Sequence, residues 1–247
     1  MVGVINTTGI AFRLGFMVTS GARDMADALY LVLGWIPLDV FSQASMQQFL
    51  SLVLIAMACI LMGAGLPTTA LYIMLVSVAQ PALAQLGVPA LATHMFVLYY
   101  GVISEITPPV CASAYAAAGI AGANPFRTGV SAFTLGIGKL MVPMVFVYAP
   151  TMLLVLPEYF TWVSFLQVSL SCAIGVFAVA TAVSGFFLAP LNVFWRFVMA
   201  CTGLLLVAPS WESDIAALVI AAPVIAMQLA ESRRTKEAVV APVEGDQ

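Results

Sequence analysis

Charged residues are scarce in this chain: they make up 8% of its 247 residues, whereas hydrophobic residues make up 63%. Soluble globular domains carry roughly 25% charged residues. This composition therefore indicates an integral membrane protein. The formal net charge is -3 and no basic patch is present that could hold phosphate groups. No nucleic acid partner is expected for such a chain.

Residue types that carry metal or nucleophilic chemistry are also few. His94 is the only histidine, and the cysteines stand in apolar runs without CxxC or Cys/His spacing: Cys59, Cys111, Cys172 and Cys201. This pattern favours small buried cysteines over a metal centre. A membrane enzyme would need a Ser/His dyad, a pair of aspartates or a zinc set, and Glu105 is the only clearly intramembrane acid. Ser104 with His94 is only a nominal dyad, so neither an enzyme nor a cofactor is expected.

The start of the chain lacks the basic region, apolar core and cleavage site of a signal peptide. Residues 1–5 precede a polar cluster at 6–9, and a spanning arm needs about 20 residues. We therefore expect a re-entrant hairpin over residues 2–18 with its tip near 7–9, in a chain whose upstream part is missing. Residues 21–48 are more polar, which predicts a partly helical connection.

The rest of the chain is a series of apolar runs separated by short polar segments, which predicts an all-α polytopic membrane protein. The predicted helices cover residues 49–63, 70–86, 88–104, 110–121, 130–156, 159–188, 197–208 and 215–229. We expect a loop at 122–129, proline kinks in 130–156, and an interfacial anchor at 192–196. Residues 231–247 form a charged tail that we expect to be disordered. Its basic residues favour a cytoplasmic C-terminus: Arg233, Arg234 and Lys236.

Two proline breaks interrupt this pattern, at residues 63–69 and 104–110. Proline lacks the N–H that would bond the carbonyl four residues earlier, so Pro67 is expected to free the carbonyl of Gly63. Pro108 and Pro109 do the same for Ser104 and Glu105. Irregular backbone inside a membrane is tolerated where it lines a protein cavity, and broken helices there often hold ions or substrate. The alternative is a pair of ordinary proline kinks.

Hydroxyl groups accompany both breaks. Thr68 and Thr69 follow the first one, and Thr107 precedes Pro108, where it is expected to cap a helix starting at that proline. Such a helix end favours a substrate carboxylate. Glu105 is a candidate coupling or gating group, or else it lies at the mouth of the cavity in water. At the N-terminus, the candidates form either a substrate-contacting tip or an interfacial turn: Asn6, Thr7 and Thr8.

These motifs resemble the large membrane (permease) subunit of tripartite ATP-independent periplasmic (TRAP) transporters. The likeness runs through MGAGLPTTALYI at residues 62–73, SEITPPV at 104–110 and AYAAAGIA at 114–121. PLNVFWR at 190–196 is similar to the extra C-terminal helices of fused members, in which the small and large membrane subunits share one polypeptide. The chain looks like the C-terminal half of such a fused permease.

The resemblance implies an elevator-type transporter built from two inverted repeats, each with a re-entrant hairpin and broken helices. Residues 1–158 would be the second repeat, 159–230 the C-terminal transmembrane helices and 231–247 the cytoplasmic tail. A Na⁺ site in that repeat would use backbone oxygen atoms around the broken helix, at Gly63, Ser104, Thr107 and Val110. The implied substrate or gating candidates are Asn6, Thr7, Thr8, Thr68, Thr69, Glu105, Pro108 and Pro109.

The resemblance also implies Na⁺-coupled uptake of small organic acids, such as C4-dicarboxylates, across the bacterial inner membrane. The implied partners are a periplasmic solute-binding protein, of the TAXI type in many fused members, and the small membrane subunit or upstream half of the permease. Two alternatives stay open: an anion carrier that works without a binding protein, and an inactive fragment of the permease. No cofactor is implied besides Na⁺ as the coupling ion.

Overall fold

The computed structural model describes residues 10–33, 42–63, 68–207 and 210–240. Within these ranges the ordered elements are helices, with one isolated β-bridge between Phe186 and Pro190. The all-α prediction is confirmed. In chain order the α-helices are α1 Ile10–Leu33, α2 Gln43–Met62, α3 Thr68–Gln85, α4 Ala90–Ser104, α5 Ala112–Ala121, α6 Pro125–Gly136, α7 Met141–Tyr148, α8 Trp162–Ser184, α9 Val193–Leu205 and α10 Trp211–Val240, with 3₁₀ turns at Ile137–Leu140 and Pro150–Leu153.

Four helical segments in the described part are long and apolar enough to cross a membrane: Gln43–Met62, Pro125–Tyr148, Trp162–Ser184 and Trp211–Ala230. The chain is therefore a multi-pass membrane protein. By contrast, α4 has 15 residues and α5 has 10. At about 1.5 Å per residue, neither reaches across a hydrocarbon layer of about 30 Å. They have the lengths of the partial helices that flank a break.

Buried side chains form three clusters: a large one, a smaller one, and a third that packs Val145 of α7 against Val168 and Cys172 of α8. The larger cluster joins α2, α3, α4 and α7, and Leu52, Leu71 and Phe96 at its centre are 0% exposed. The smaller one holds α8, α9 and α10 together through residues such as Met199 and Val224. The candidate site therefore lies on the larger cluster, because both proline breaks interrupt its helices.

The first described helix differs from the expected partly helical connection. α1 runs without interruption through the polar stretch, because its charged residues stand at exposed positions and small residues occupy its buried face. Thr19, Ala22 and Ala26 are buried; Arg23 and Asp24 are exposed. The tip of the predicted hairpin at residues 7–9 lies outside the described residues.

The expected loop at residues 122–129 is also wrong, because α6 begins within it. Asn124 caps this helix, its side-chain oxygen accepting the N–H of Arg127 at 3.0 Å, and Pro125 occupies the first helical position. Proline is well suited to that position because its missing N–H would have no helical partner there. The long span changes helix type at Ile137–Leu140, where no proline stands, while Pro143 lies buried inside α7.

The predicted disorder of the charged tail is wrong for residues 231–240. These residues continue α10 beyond the apolar segment as far as Val240. Good helix formers such as Glu, Arg, Lys and Ala dominate this stretch, so the helix does not need a membrane around it to persist. Residues 241–247 lie outside the described part of the chain.

Candidate functional site

The C-terminal ends of α2 and α4, where the two predicted breaks begin, meet in space; Pro67 and the rest of residues 64–67 lie outside the described residues. Gly63 caps α2, its N–H bonding the carbonyl of Cys59 at 2.9 Å. A Cβ atom placed on Gly63 would lie 2.5 Å from Cβ of Ser104 and closer still to its hydroxyl oxygen. Only a hydrogen atom fits there. Two of the predicted ion ligands, 41 positions apart in sequence, are therefore in direct contact.

The carboxylate of Glu105 connects the beginnings of two other helices. Its Oε1 accepts a hydrogen bond from the hydroxyl of Thr68 at 2.9 Å, and its Oε2 accepts one from the hydroxyl of Ser113 at 3.3 Å. Thr68 is the first residue of α3 and Ser113 is the second residue of α5. A negative charge beside helix N-termini is favourable because their N–H groups carry partial positive charge. Thr68 and Glu105 were both predicted site residues, whereas Ser113 was missed.

The backbone of the second break corrects two expectations. α5 begins at Ala112 and not at Pro108, so Thr107 does not cap it. Its hydroxyl instead donates to the carbonyl of Ile103 at 2.8 Å. The carbonyl of Ser104 is not left free either, because it accepts the N–H of Thr107 at 3.2 Å. A carbonyl oxygen has two lone pairs, so that of Ser104 retains capacity for a further ligand.

The carbonyl of Val110 can also bind a ligand, although no proline stands four residues after it. The N–H of Cys111 bonds Thr107, and the next backbone bond joins Tyr115 to the carbonyl of Cys111. No backbone N–H of a described residue donates to the carbonyl of Val110. Cys111 has φ +24°, so the chain turns there before α5 starts. The peptide between Pro108 and Pro109 is cis.

Helix α6 lies against this break through two glycines. A Cβ atom on Gly129 would collide with the sulfur of Cys111, and one on Gly136 would lie 2.7 Å from Cδ1 of Ile106. The glycines are seven residues apart, which is about two helical turns, so they share one face of the helix. The segment between Glu105 and Cys111 can therefore approach the α6 backbone closely.

The remaining predicted residues take varied positions. Thr69 and Pro109 are exposed, and Pro108 is partly exposed. Asn6, Thr7 and Thr8 lie outside the described residues. Ser104 and His94 do not form a dyad: the Ser104 hydroxyl donates to the carbonyl of Gly101 at 2.6 Å, and Nδ1 of His94 is 2.6 Å from the Tyr72 hydroxyl. The cysteines are buried as predicted, except that Cys201 is partly exposed.

Broken helices whose ends converge inside a multi-pass bundle form the binding sites of many secondary transporters. The fold and the site therefore define the permease class of membrane protein. A family model described as "Tripartite ATP-independent periplasmic transporter, DctM component" matches residues 1–163, and the chain belongs to this family. Comparisons with curated proteins and with solved structures gave no significant match.

Membership of this family confirms the resemblance seen in the sequence. It makes the chain a permease component of a TRAP-type secondary transporter, and the family is not one of enzymes. It also implies a periplasmic solute-binding protein and a small membrane subunit as partners. The match ends at residue 163, next to the start of α8 at Trp162. Helices α8 to α10 thus lie beyond the matched region.

Proposed function

We propose that this permease couples inward movement of Na⁺ to uptake of a small organic acid, of the C4-dicarboxylate kind, across the bacterial inner membrane. The observation that carries the proposal is the contact between Gly63 and Ser104, which brings two helix breaks to one point. The substrate would be delivered by a periplasmic binding protein of the TAXI type. The C-terminus would face the cytoplasm, and Na⁺ would be the coupling ion without another cofactor.

The proposed Na⁺ ligands are oxygen atoms of Gly63, Ser104, Thr107 and Val110. A hard monovalent cation favours neutral oxygen ligands of this kind. The carbonyl of Val110 accepts no backbone hydrogen bond from a described residue, and that of Ser104 accepts a single one. The hydroxyl of Thr107 uses its proton on Ile103, so its oxygen lone pairs remain able to face a cation.

The proposed mechanism is alternating access by an elevator-type movement. Na⁺ bound beside the touching ends of α2 and α4 would hold the two helix ends in place. That ordering would create the substrate site at the neighbouring starts of α3 and α5, where exposed hydroxyls such as that of Thr69 and helix N–H groups can meet a carboxylate. Because linkage is reciprocal, Na⁺ should raise the affinity for substrate, and substrate should raise the affinity for Na⁺.

The test is uptake of labelled organic acids into proteoliposomes that contain the permease, its small membrane subunit and its binding protein. Thr107→Ala should raise the Na⁺ concentration for half-maximal uptake by roughly three- to tenfold, the effect of losing one oxygen contact. Thr134→Ala is a matched control. The Thr134 hydroxyl also donates to a carbonyl four residues back at 2.8 Å, but from an exposed position on α6.

Each outcome separates the proposal from its alternatives. Uptake that does not depend on Na⁺ would contradict the ion site and make Glu105 the candidate for proton coupling. Equal uptake with and without the binding protein would favour an independent anion carrier. A correctly folded, complete assembly that moves none of the tested acids would favour an inactive permease fragment.

A further inference from the structure

We propose that Glu105 is a positioning residue that fixes the first helix break against the second through the hydroxyl of Thr68. The inference rests on the proposed function, since the effect that it predicts is on the affinity for Na⁺. It assigns to the Glu105 carboxylate neither an ion ligand nor a carried proton. The contacts that support it are the bond from Thr68 at 2.9 Å and the bond from Ser113 at 3.3 Å.

Two consecutive residues hold both ends of the first break. Ser104 contacts Gly63, where α2 ends. Glu105 bonds Thr68, where α3 begins. The end of α2 is therefore held by packing, and the start of α3 is held by a hydrogen bond. Without the second contact, the start of α3 can move relative to α4, and the end of α2 keeps only its packing against Ser104.

The carboxylate also ties the first break to the start of α5. Ser113 lies one turn after the second break and donates to the other carboxylate oxygen. No described basic residue pairs with Glu105, so its charge is met by two hydroxyls and by nearby helix N-termini. Each hydroxyl uses its single proton on Glu105. Both are committed to positioning the breaks, and neither can donate to a substrate carboxylate at the same time.

A positioning role and a charge role of Glu105 predict different effects when the Thr68 hydroxyl is removed. If the charge of Glu105 coordinated an ion or carried a proton, removing the Thr68 hydroxyl would leave that function largely in place. If Glu105 works by holding Thr68, then losing either partner breaks the same contact. The two losses should then be non-additive, which a double-mutant cycle measures.

The experiment uses the reconstituted transporter with Thr68→Val, Thr68→Ser, Glu105→Leu and the double variant Thr68→Val/Glu105→Leu, because leucine, unlike glutamine, leaves no oxygen to accept from Thr68. Thr68→Val should raise the Na⁺ concentration for half-maximal uptake by roughly five- to tenfold, as expected for losing a hydrogen bond to a charged group at a partly exposed site. Uptake at saturating Na⁺ should stay within about twofold, because the ligands themselves are retained. Thr68→Ser keeps the hydroxyl and should restore the affinity for Na⁺. Thr134→Val makes the same threonine-to-valine change on α6 and should leave that affinity unchanged.

The double variant should be no worse than the more damaged single variant. Additive losses would overturn the inference, as would a Thr68→Val variant with normal Na⁺ affinity beside an inactive Glu105→Leu. A parent protein without Na⁺ dependence would instead refute the proposed function. The contact is then tested by the apparent Tm of the same proteins in detergent, where non-additive shifts support the link and additive shifts overturn it.

Discussion

A single methyl group at Gly63 should separate the two breaks. In Gly63→Ala, the new Cβ would lie 2.5 Å from Cβ of Ser104 and 2.9 Å from the carbonyl oxygen of Cys59. Carbon atoms in contact prefer about 3.5–4.0 Å, so α2 and α4 must move apart by about 1 Å. Gly63 has φ -71°, a value that alanine adopts without strain. The cost therefore comes from contact and not from the backbone.

The size of the effect follows from two opposing contributions. Overpacking a close contact costs about 1–3 kcal/mol, and here the upper part applies because the atoms belong to backbone and Cβ and cannot rotate away. Replacing glycine in a helical conformation returns up to about 1 kcal/mol. The net loss is about 2 kcal/mol, which lowers the Tm of a chain of this size by roughly 4–8 °C. Since the methyl group also displaces Ser104, Na⁺ dependence should be lost.

Two glycines provide graded controls for this assay. Gly119 has no other atom within 4 Å of an added Cβ, and Gly101 would meet only the Leu71 side chain, with Cδ2 at 3.4 Å and Cγ at 3.8 Å. Both lie inside helices, so alanine should leave them at least as stable as the parent. In detergent, Gly63→Ala should unfold at a clearly lower Tm than Gly119→Ala and Gly101→Ala. In a Na⁺ titration of uptake, Gly63→Ala should lose the Na⁺ dependence that both controls keep. A Gly63→Ala protein that matches Gly119→Ala in both measurements would refute the contact between the breaks.

Two further predictions concern the C-terminal helices. Arg196→Met removes guanidinium bonds of 2.8 and 2.9 Å to carbonyls at the end of α8. It should cost about 1–2 kcal/mol after allowance for partial exposure, measured by Tm with Arg196→Lys as a partial rescue. Gln228→Leu removes the buried acceptor of two backbone N–H groups at 3.3 and 2.8 Å. It should cost about 2 kcal/mol or more, and an unchanged Tm would show that these N–H groups find another partner.

Apolar runs and prolines predicted most of the helices, because membrane helices are set by local composition. The break after Ser104 could also be predicted from local sequence, because two adjacent prolines remove two backbone N–H donors. The start of α6 was available too, since Asn124 followed by Pro125 is a helix-start signal. α1 was harder, because its charged residues suggested only a partly helical connection until the buried face at Ala22 and Ala26 was known.

The pairings within the site could not be predicted in the same way. The proline rule says where a helix stops but not where the next begins, and Cys111, with its positive φ, delays the restart to Ala112. This is why Thr107 was wrongly expected to cap a helix at Pro108. The bond between Thr68 and Glu105 joins residues 37 positions apart. It depends on how the helices pack, which no local pattern records.

The span from Pro125 to Tyr148 packs against both the second break and α8. It therefore connects the candidate site with the C-terminal helices. Its first half, α6, presents Gly129 and Gly136 to the second break. Its 3₁₀ turn presents Gly138 to Val176 of α8, where an added Cβ would lie 2.9 Å from Cγ1. Small residues at helix contacts allow close approach, so the same span packs against the second break on one side and against α8 on the other. Any movement of the break relative to the C-terminal helices must therefore be absorbed within this span. The contact with α8 lies within the non-α turn at Ile137–Leu140, and a mid-helix 3₁₀ stretch of this kind often marks a functional hinge.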